Sequence, residues 1–350
     1  MNEELLREQF ESALGIKAES LEIIPLHAHA SYRSYYRVVL PDASHYVVME
    51  IPEGKWSVSE EISNRNVQTS ELPFLNIARY LNEKGLPVPR VLSADAEKGL
   101  IILDDLGDCR LEDEIRQKPQ EDKLKLYQKA ITLLVDLQNR AVPDKDACIA
   151  FERSFDEELL MWEFQHFFEY GIEKRQQKKI QKTDLSYFEK AAGEITQALI
   201  DAPQVFVHRD YQSRNLMWHQ DQFYIIDFQD ALLGPVTYDL VALLRDSYVV
   251  LDRRMRESLF DEYLQQNQTR YQKTIDREKF AQLFDKTTIQ RKLKDAGRFV
   301  YIDQVKQNPD FLPFIADSLS YVREAFRRQP ELSEFYERLK PYVPEWQQIT

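Results

Sequence analysis

The chain has 350 residues, 43% of them hydrophobic and 12% aromatic, enough for a large core and for two lobes. Its net charge of −13 and pI of about 5.1, with no basic stripe, argue against nucleic acid or an anionic membrane as partner. Two cysteines, Cys109 and Cys148, lack metal-ligand spacing and are too few for a disulfide framework, which fits a reducing compartment. The opening MNEELLREQF has no apolar signal core, and no apolar run approaches the ~18 residues of a membrane span. A soluble, cytoplasmic protein is expected.

Leu5, Phe10 and Leu14 predict an amphipathic helix over 2–14. Runs rich in β-branched and aromatic residues predict strands at 21–26, 35–40 and 46–51, with Pro41-Asp42 turning between the second and third. Residues 52–70 are polar and read as a loop. A helix over 72–84 stops at Gly85, and strands follow at 91–94 and 100–103. Asp104-Asp105-Leu106-Gly107 then reads as a connector. Beyond it helices dominate, at about 121–140, 155–170, 173–200, 238–249, 253–266, 276–296 and 310–327, interrupted by a β-rich island from Val205 to Asp230. The pattern predicts an α+β chain: residues 1–103 as a small antiparallel-sheet lobe, 104–107 as hinge and 108–350 as a larger helical lobe. The cleft between lobes is the expected ligand site.

The chemistry lies in the β-rich island. Apolar Val205–Val207 leads into His208-Arg209-Asp210, Asn215 follows five residues later, and apolar Phe223–Ile226 leads into Asp227. Strand ends aim side chains rigidly into a cleft. Asn215 and Asp227 offer oxygens to a hard cation such as magnesium, and Asp210 can accept a hydroxyl proton. Asp230 either joins that metal site or caps the next segment.

The order H-x-D-x-x-x-x-N, strand, Asp resembles the catalytic core of protein kinases and aminoglycoside phosphotransferases. Asp227-Phe228-Gln229 stands where protein kinases carry D-F-G. The glutamine, with Tyr238-Asp239-Leu240 downstream, is similar to the antibiotic- and sugar-kinase branch. The resemblance implies a protein-kinase-like fold, ATP and Mg2+ as cofactors, Asp210 as catalytic base and Asp239 as a structural brace. Arg214 is implied as a catalytic contact to the transferring phosphate. Ser31, Arg33 and Ser34, between the first two strands, are implied nucleotide contacts, as are Asp104 and Leu106 in the hinge. Leu86-Pro87-Val88-Pro89, Leu103–Gly107 and HRDYQSRNLM further resemble the anomeric kinases of cell-wall amino sugars. A small-molecule sugar acceptor, its C1 hydroxyl phosphorylated during peptidoglycan recycling, is therefore expected.

Two positions depart from the kinase pattern. The loop over the phosphates has no glycine, and Met49 stands where the third strand of a kinase carries its phosphate-binding lysine. Arg33, Arg37 and Lys55 are the cations available to compensate. Two rival readings stay open: the same machinery acting on an aminoglycoside, choline or another sugar, and a nucleotide-binding protein without catalysis.

Overall fold

Alternating residues of five strands make a two-faced sheet, and each face is covered differently. In a computed structural model, which describes residues 3–17, 20–26, 33–52, 71–95 and 97–347, the strands are β1 (Glu22–Leu26), β2 (Ser34–Val39), β3 (His45–Glu50), β4 (Val91–Asp95) and β5 (Leu100–Asp104). They pair antiparallel in the order β1-β2-β3-β5-β4. Val38, Val48, Leu100 and Ile102 turn one face to helix α1 (Glu3–Leu14) and bury Leu6 and Phe10 there. Met49, Ile51, Ile101 and Leu103 turn the other face to α2 (Pro73–Glu83) and into the main core, which runs on through the helical part.

The connector after β5 is held from both sides. Arg90 forks onto Asp104, with Nε–Oδ2 at 2.7 Å and Nη2–Oδ1 at 3.0 Å. Arg37 on β2 forks onto Asp105 at 2.5 and 3.0 Å and also reaches Asp108 at 2.8 Å. Arg37, expected among the cations for phosphate, is thus tied to the connector.

The helical part comprises α3 (Leu111–Ile115), α4 (Gln120–Arg140), α5 (Glu157–His166), α6 (Lys182–Ile200), α7 (Tyr238–Leu244), α8 (Arg253–Tyr271), α9 (Arg277–Lys306), α10 (Ile315–Phe326) and α11 (Ser333–Leu339). Two small antiparallel pairs interrupt it: β6 (Gln204–Val207) with β9 (Leu232–Pro235), and β7 (Leu216–His219) with β8 (Gln222–Ile225). Gln220 and Asp221, with φ of 48° and 61°, make the two-residue turn between β7 and β8, a backbone whose twist suits a tight hairpin.

Several predicted boundaries move. The helix expected from 173 begins at Lys182; α5 instead continues as a π-helical stretch, Phe167–Lys174, and the chain reverses beyond it. Helix α9 extends ten residues past its expected end because Phe299, Val300 and Ile302 continue its buried stripe. Helix α7 stops at Leu244 rather than 249, since Arg245 and Asp246 turn to different partners. Helices α3 and α11 and strand β9 were not expected. Gly297 lets α9 approach the π-helical stretch closely: a Cβ there would sit 2.8 Å from Phe167 Cα. That contact sets how closely α9 packs on the stretch after α5.

Glu324 on α10 ties three elements together. It accepts from Arg245 at 2.7 Å, from Arg256 on α8 at 2.8 Å and from Arg328 at 2.8 Å. Burial alone would raise its pKa, but the arginines hold it down to about 2, below its ordinary 4.5. A depressed carboxylate pKa stabilises the fold above the unfolded value, and the gain is lost as pH falls through the folded value. Glu324→Gln is therefore expected to lower stability by about 2 kcal/mol at neutral pH. Urea titrations of the two proteins should converge as pH falls from 4.5 to about 2. A difference that persists unchanged at the acid end would refute the assignment.

Candidate active site

Strand β6 delivers His208, Arg209 and Asp210, and β8 delivers Asp227, to one place. Backbone strain marks both turns: Arg209 has φ of 77° and Asp227 φ of 64°, a region that costs a side-chain-bearing residue energy. Hydrogen bonds over-determine the strained loop. Asp239 on α7 accepts from the His208 and Arg209 amides at 2.7 and 3.1 Å. Asp246 accepts from the Ser213 amide at 2.8 Å and hydroxyl at 2.6 Å. Burial pushes the Asp239 carboxyl up to about 6, against the pull of His208 and the loop amides. It is a brace, as the resemblance implied.

His208 joins the two strand ends. The Asp210 amide donates to its Nδ1 at 3.2 Å, which leaves the proton on Nε2, and Nε2 donates to the Ile226 carbonyl at 2.8 Å. Ile226 N–H in turn donates to the Asn215 carbonyl at 3.1 Å. The loop carrying Asp210 and Asn215 is therefore hydrogen-bonded to Ile226, the residue that precedes Asp227.

The oxygen donors suit a hard cation. The Asn215 side-chain nitrogen donates to the Asp210 carbonyl at 2.8 Å, which leaves its Oδ1 as the outward atom. Asp227 is exposed, accepts from Gln229 Nε2 at 2.8 Å, and has no ion-pair partner among the described residues. An amide oxygen beside an uncompensated carboxylate is a fitting donor pair for magnesium, which completes its shell from phosphates and water. Phe228, which follows Asp227, stacks on Phe74 of α2 with centroids 5.0 Å apart, so the turn after β8 rests on the sheet's helix.

The other expected residues lie as follows. Arg214 is part-buried; its Nε reaches Glu112 at 2.9 Å and its guanidinium lies 3.7 Å from the Tyr248 ring centroid. Arg33 is buried, 8% exposed, and Ser34 opens β2 opposite Glu50. Ser31, Lys55 and most of the 52–70 loop fall outside the described residues. Asp104 closes β5 under Arg90, and Leu106 is buried. Met49 is wholly buried between Tyr35 and Ile101, a position where an ammonium would need a partner. Phe164, Phe167 and Phe168 belong to the core, while Trp162 packs on His166.

The cations on α9 carry no motif that would announce them. Arg291 Nη2 donates to Asp210 Oδ1 at 3.1 Å from a fully buried side chain. Lys294, one turn on, has its side chain 12% exposed and lies 3.4 Å from Asp295. Burial alone would raise the Asp210 pKa, but Lys294, Arg291 and Arg209 overcome it and hold the carboxyl at about 2. Packing of α9 against α5, α6, α7, α10 and the π-helical stretch buries this charged run.

A strand-end aspartate, an asparagine and a second aspartate, framed by a five-stranded sheet and a helical lobe, define a protein-kinase-like phosphotransferase architecture. The chain belongs to the phosphotransferase enzyme family, whose model matches residues 22–277. It is 29% identical to the N-acetylmuramate/N-acetylglucosamine kinase of Neisseria meningitidis serogroup B, over 90% of this chain and 89% of that one. It is equally, 29%, identical to the protein of that name from Pseudomonas aeruginosa, over 91% and 88%. Among solved structures, an amicoumacin kinase in complex with AMP-PNP, Ca2+ and Ami superposes with a TM-score of 0.60 at 14% identity, covering 94% of each chain.

Proposed function

We propose that the chain transfers the γ-phosphate of ATP, as its magnesium complex, to the anomeric hydroxyl of an N-acetylated amino sugar, giving a sugar 1-phosphate and ADP. The observation that carries this reading is the bonding of the two strained strand ends through His208, Ile226 and Asn215, which brings Asp210, Asn215 and Asp227 to one place. The likeness to the two amino-sugar kinases, extending over about nine-tenths of each chain, supports the acceptor. Nucleotide would lie between a lobe of residues 1–103 and a lobe of 108–350, its base at the 104–107 hinge beside Asp104 and Leu106. Ser31, Arg33 and Ser34 would face its phosphates and Arg214 the transferring group. Asn215 Oδ1 and Asp227 would hold the magnesium ion, which supplies neutralisation of phosphate charge.

Asp210 orients the acceptor hydroxyl and receives its proton. Held at about 2, it is a weak base. A weak base suffices when proton transfer comes late, as in a loose phosphoryl-transfer transition state. It suffices best for a hemiacetal hydroxyl, which the ring oxygen makes more acidic than an ordinary alcohol. That match favours C1 over the remaining hydroxyls of the sugar.

The test is magnesium-dependent ADP release with N-acetylmuramate, N-acetylglucosamine, glucose, kanamycin and choline. Turnover of the N-acetylated sugars, abolished in their 1-O-methyl glycosides, is expected. Turnover of kanamycin or choline alone would overturn the acceptor, and nucleotide binding without any turnover would overturn catalysis.

A further inference from the structure

The Arg37 side chain rises from β2, and every hydrogen bond it makes among the described residues goes to the connector. Nε and Nη2 take the two oxygens of Asp105, and Nη1 takes Asp108. The two acceptors are unequal: the Asp105 side chain is 7% exposed and that of Asp108 76%. Water screens the second pair, whereas the first is a planar two-point contact in a nearly dry place. Burial alone would raise the Asp105 pKa, but Arg37 and the Gly107 amide hold it below its ordinary range. The same carboxylate shapes the chain beyond it. Asp105 Oδ1 accepts from the Gly107 amide at 2.8 Å, closing a short turn over Leu106. The Leu106 side chain is buried, and its amide and carbonyl make no hydrogen bond among the described residues. Such backbone groups are open to a bound molecule. Farther on, the connector is stitched to the catalytic hairpin. The Trp218 amide on β7 donates to the Cys109 carbonyl at 2.7 Å, and Arg110 bridges to Met217.

We infer that Arg37 is a positioning residue for the nucleotide base: through Asp105 it holds the turn at Leu106 against which the base docks, and it does not touch the phosphates. The inference rests on the proposed function, which sets the base at the connector. A cation that contacts phosphate acts only on ligands that carry phosphate. One that holds the connector acts on the base, whatever is attached to it. Arginine is needed for this task, because an ammonium offers the same charge without the two-point fork that fixes the orientation of the Asp105 carboxylate.

The two modes are separated by comparing adenosine, as a competitor of ATP, with AMP-PNP in the full-length enzyme and its variants. Arg37→Lys is expected to weaken adenosine and AMP-PNP by the same factor, about tenfold, and to raise the KM for ATP likewise while kcat stays within about threefold. Asp105→Asn should reproduce that loss, and the double variant should bind no more weakly than either single one, since both remove one contact. Asp108→Asn, which removes the exposed arm, should stay within about twofold of the unmodified enzyme. Weaker AMP-PNP with adenosine unchanged would overturn the inference, because that is the signature of a phosphate contact. A lower melting temperature with both constants unchanged would overturn it too, leaving Arg37 a role in the fold alone. Adenosine that fails to compete with ATP in the unmodified enzyme would do the same. Failure of the unmodified protein to bind AMP-PNP or to turn over ATP with any acceptor would instead overturn the proposed function on which the inference rests.

Discussion

Asp210→Asn is expected to lower kcat by about three orders of magnitude while leaving the KM for nucleotide within a few fold. The substitution keeps the loop's framework. The Asp210 amide still donates to His208, and its carbonyl still accepts from the Gln212 amide and the Asn215 side chain. The change is therefore one of charge at the atom that receives the acceptor's proton. A second effect follows from Arg291, which has no exposed side-chain surface and loses its direct ion-pair partner while Asp295 stays nearby. Weakening the compensation of a buried guanidinium costs about 1–2 kcal/mol, so the variant should also melt a few degrees lower. Steady-state kinetics and a thermal melt on the same preparation check both. Unchanged turnover would exclude Asp210 as the proton acceptor.

Asp227→Asn is expected to show the opposite pairing of effects. Turnover should again fall by about a thousandfold, but stability should hold or rise slightly. Asp227 is exposed, has no ion-pair partner among the described residues, and sits at φ of 64°, which asparagine tolerates well. What it should lose is the coupling between metal and nucleotide. Titration calorimetry with a non-hydrolysable ATP analogue should show magnesium tightening binding to the unmodified protein and at least tenfold less tightening in the variant. Full retention of that coupling would move the metal site away from Asp227. The two variants are also distinguishable from one another, since one weakens the fold and the other does not.

The strands, the first two helices and the catalytic island could be read from residue patterns because each rests on local rules. Runs rich in β-branched, aromatic and other apolar residues marked β2, β3 and β5, Gly85 ended α2, and apolar runs ended in Asp210 and Asp227 as strand ends do. Arg37 was misread because its partners, Asp105 and Asp108, lie about seventy residues away across the sheet. The cations of α9 were invisible for a related reason. A charged helical run looks solvated unless a neighbour covers it, and here the cover comes from the π-helical stretch and the catalytic loop. Strand β9 was too short and too glycine- and proline-rich to announce itself, and it forms because Gln204–Val207 needs a partner. Met49 is one of the two places where the sequence broke a kinase rule openly, the other being the glycine-free loop. The structure accounts for its burial among apolar neighbours, which a methionine satisfies and a lysine would not.

The loop from His208 to Asn215 is templated from α7, whose Asp239 and the adjoining Asp246 hold its backbone, whereas Arg291, the cation paired with its Asp210, projects from α9. Shape and charge of one loop are thus set by two different helices. A substitution on α9 can change the field at Asp210 without loosening the backbone that carries it. Descendants of such a scaffold would drift in electrostatics faster than in geometry, because the first needs a side-chain exchange on one helix and the second would need a brace rebuilt.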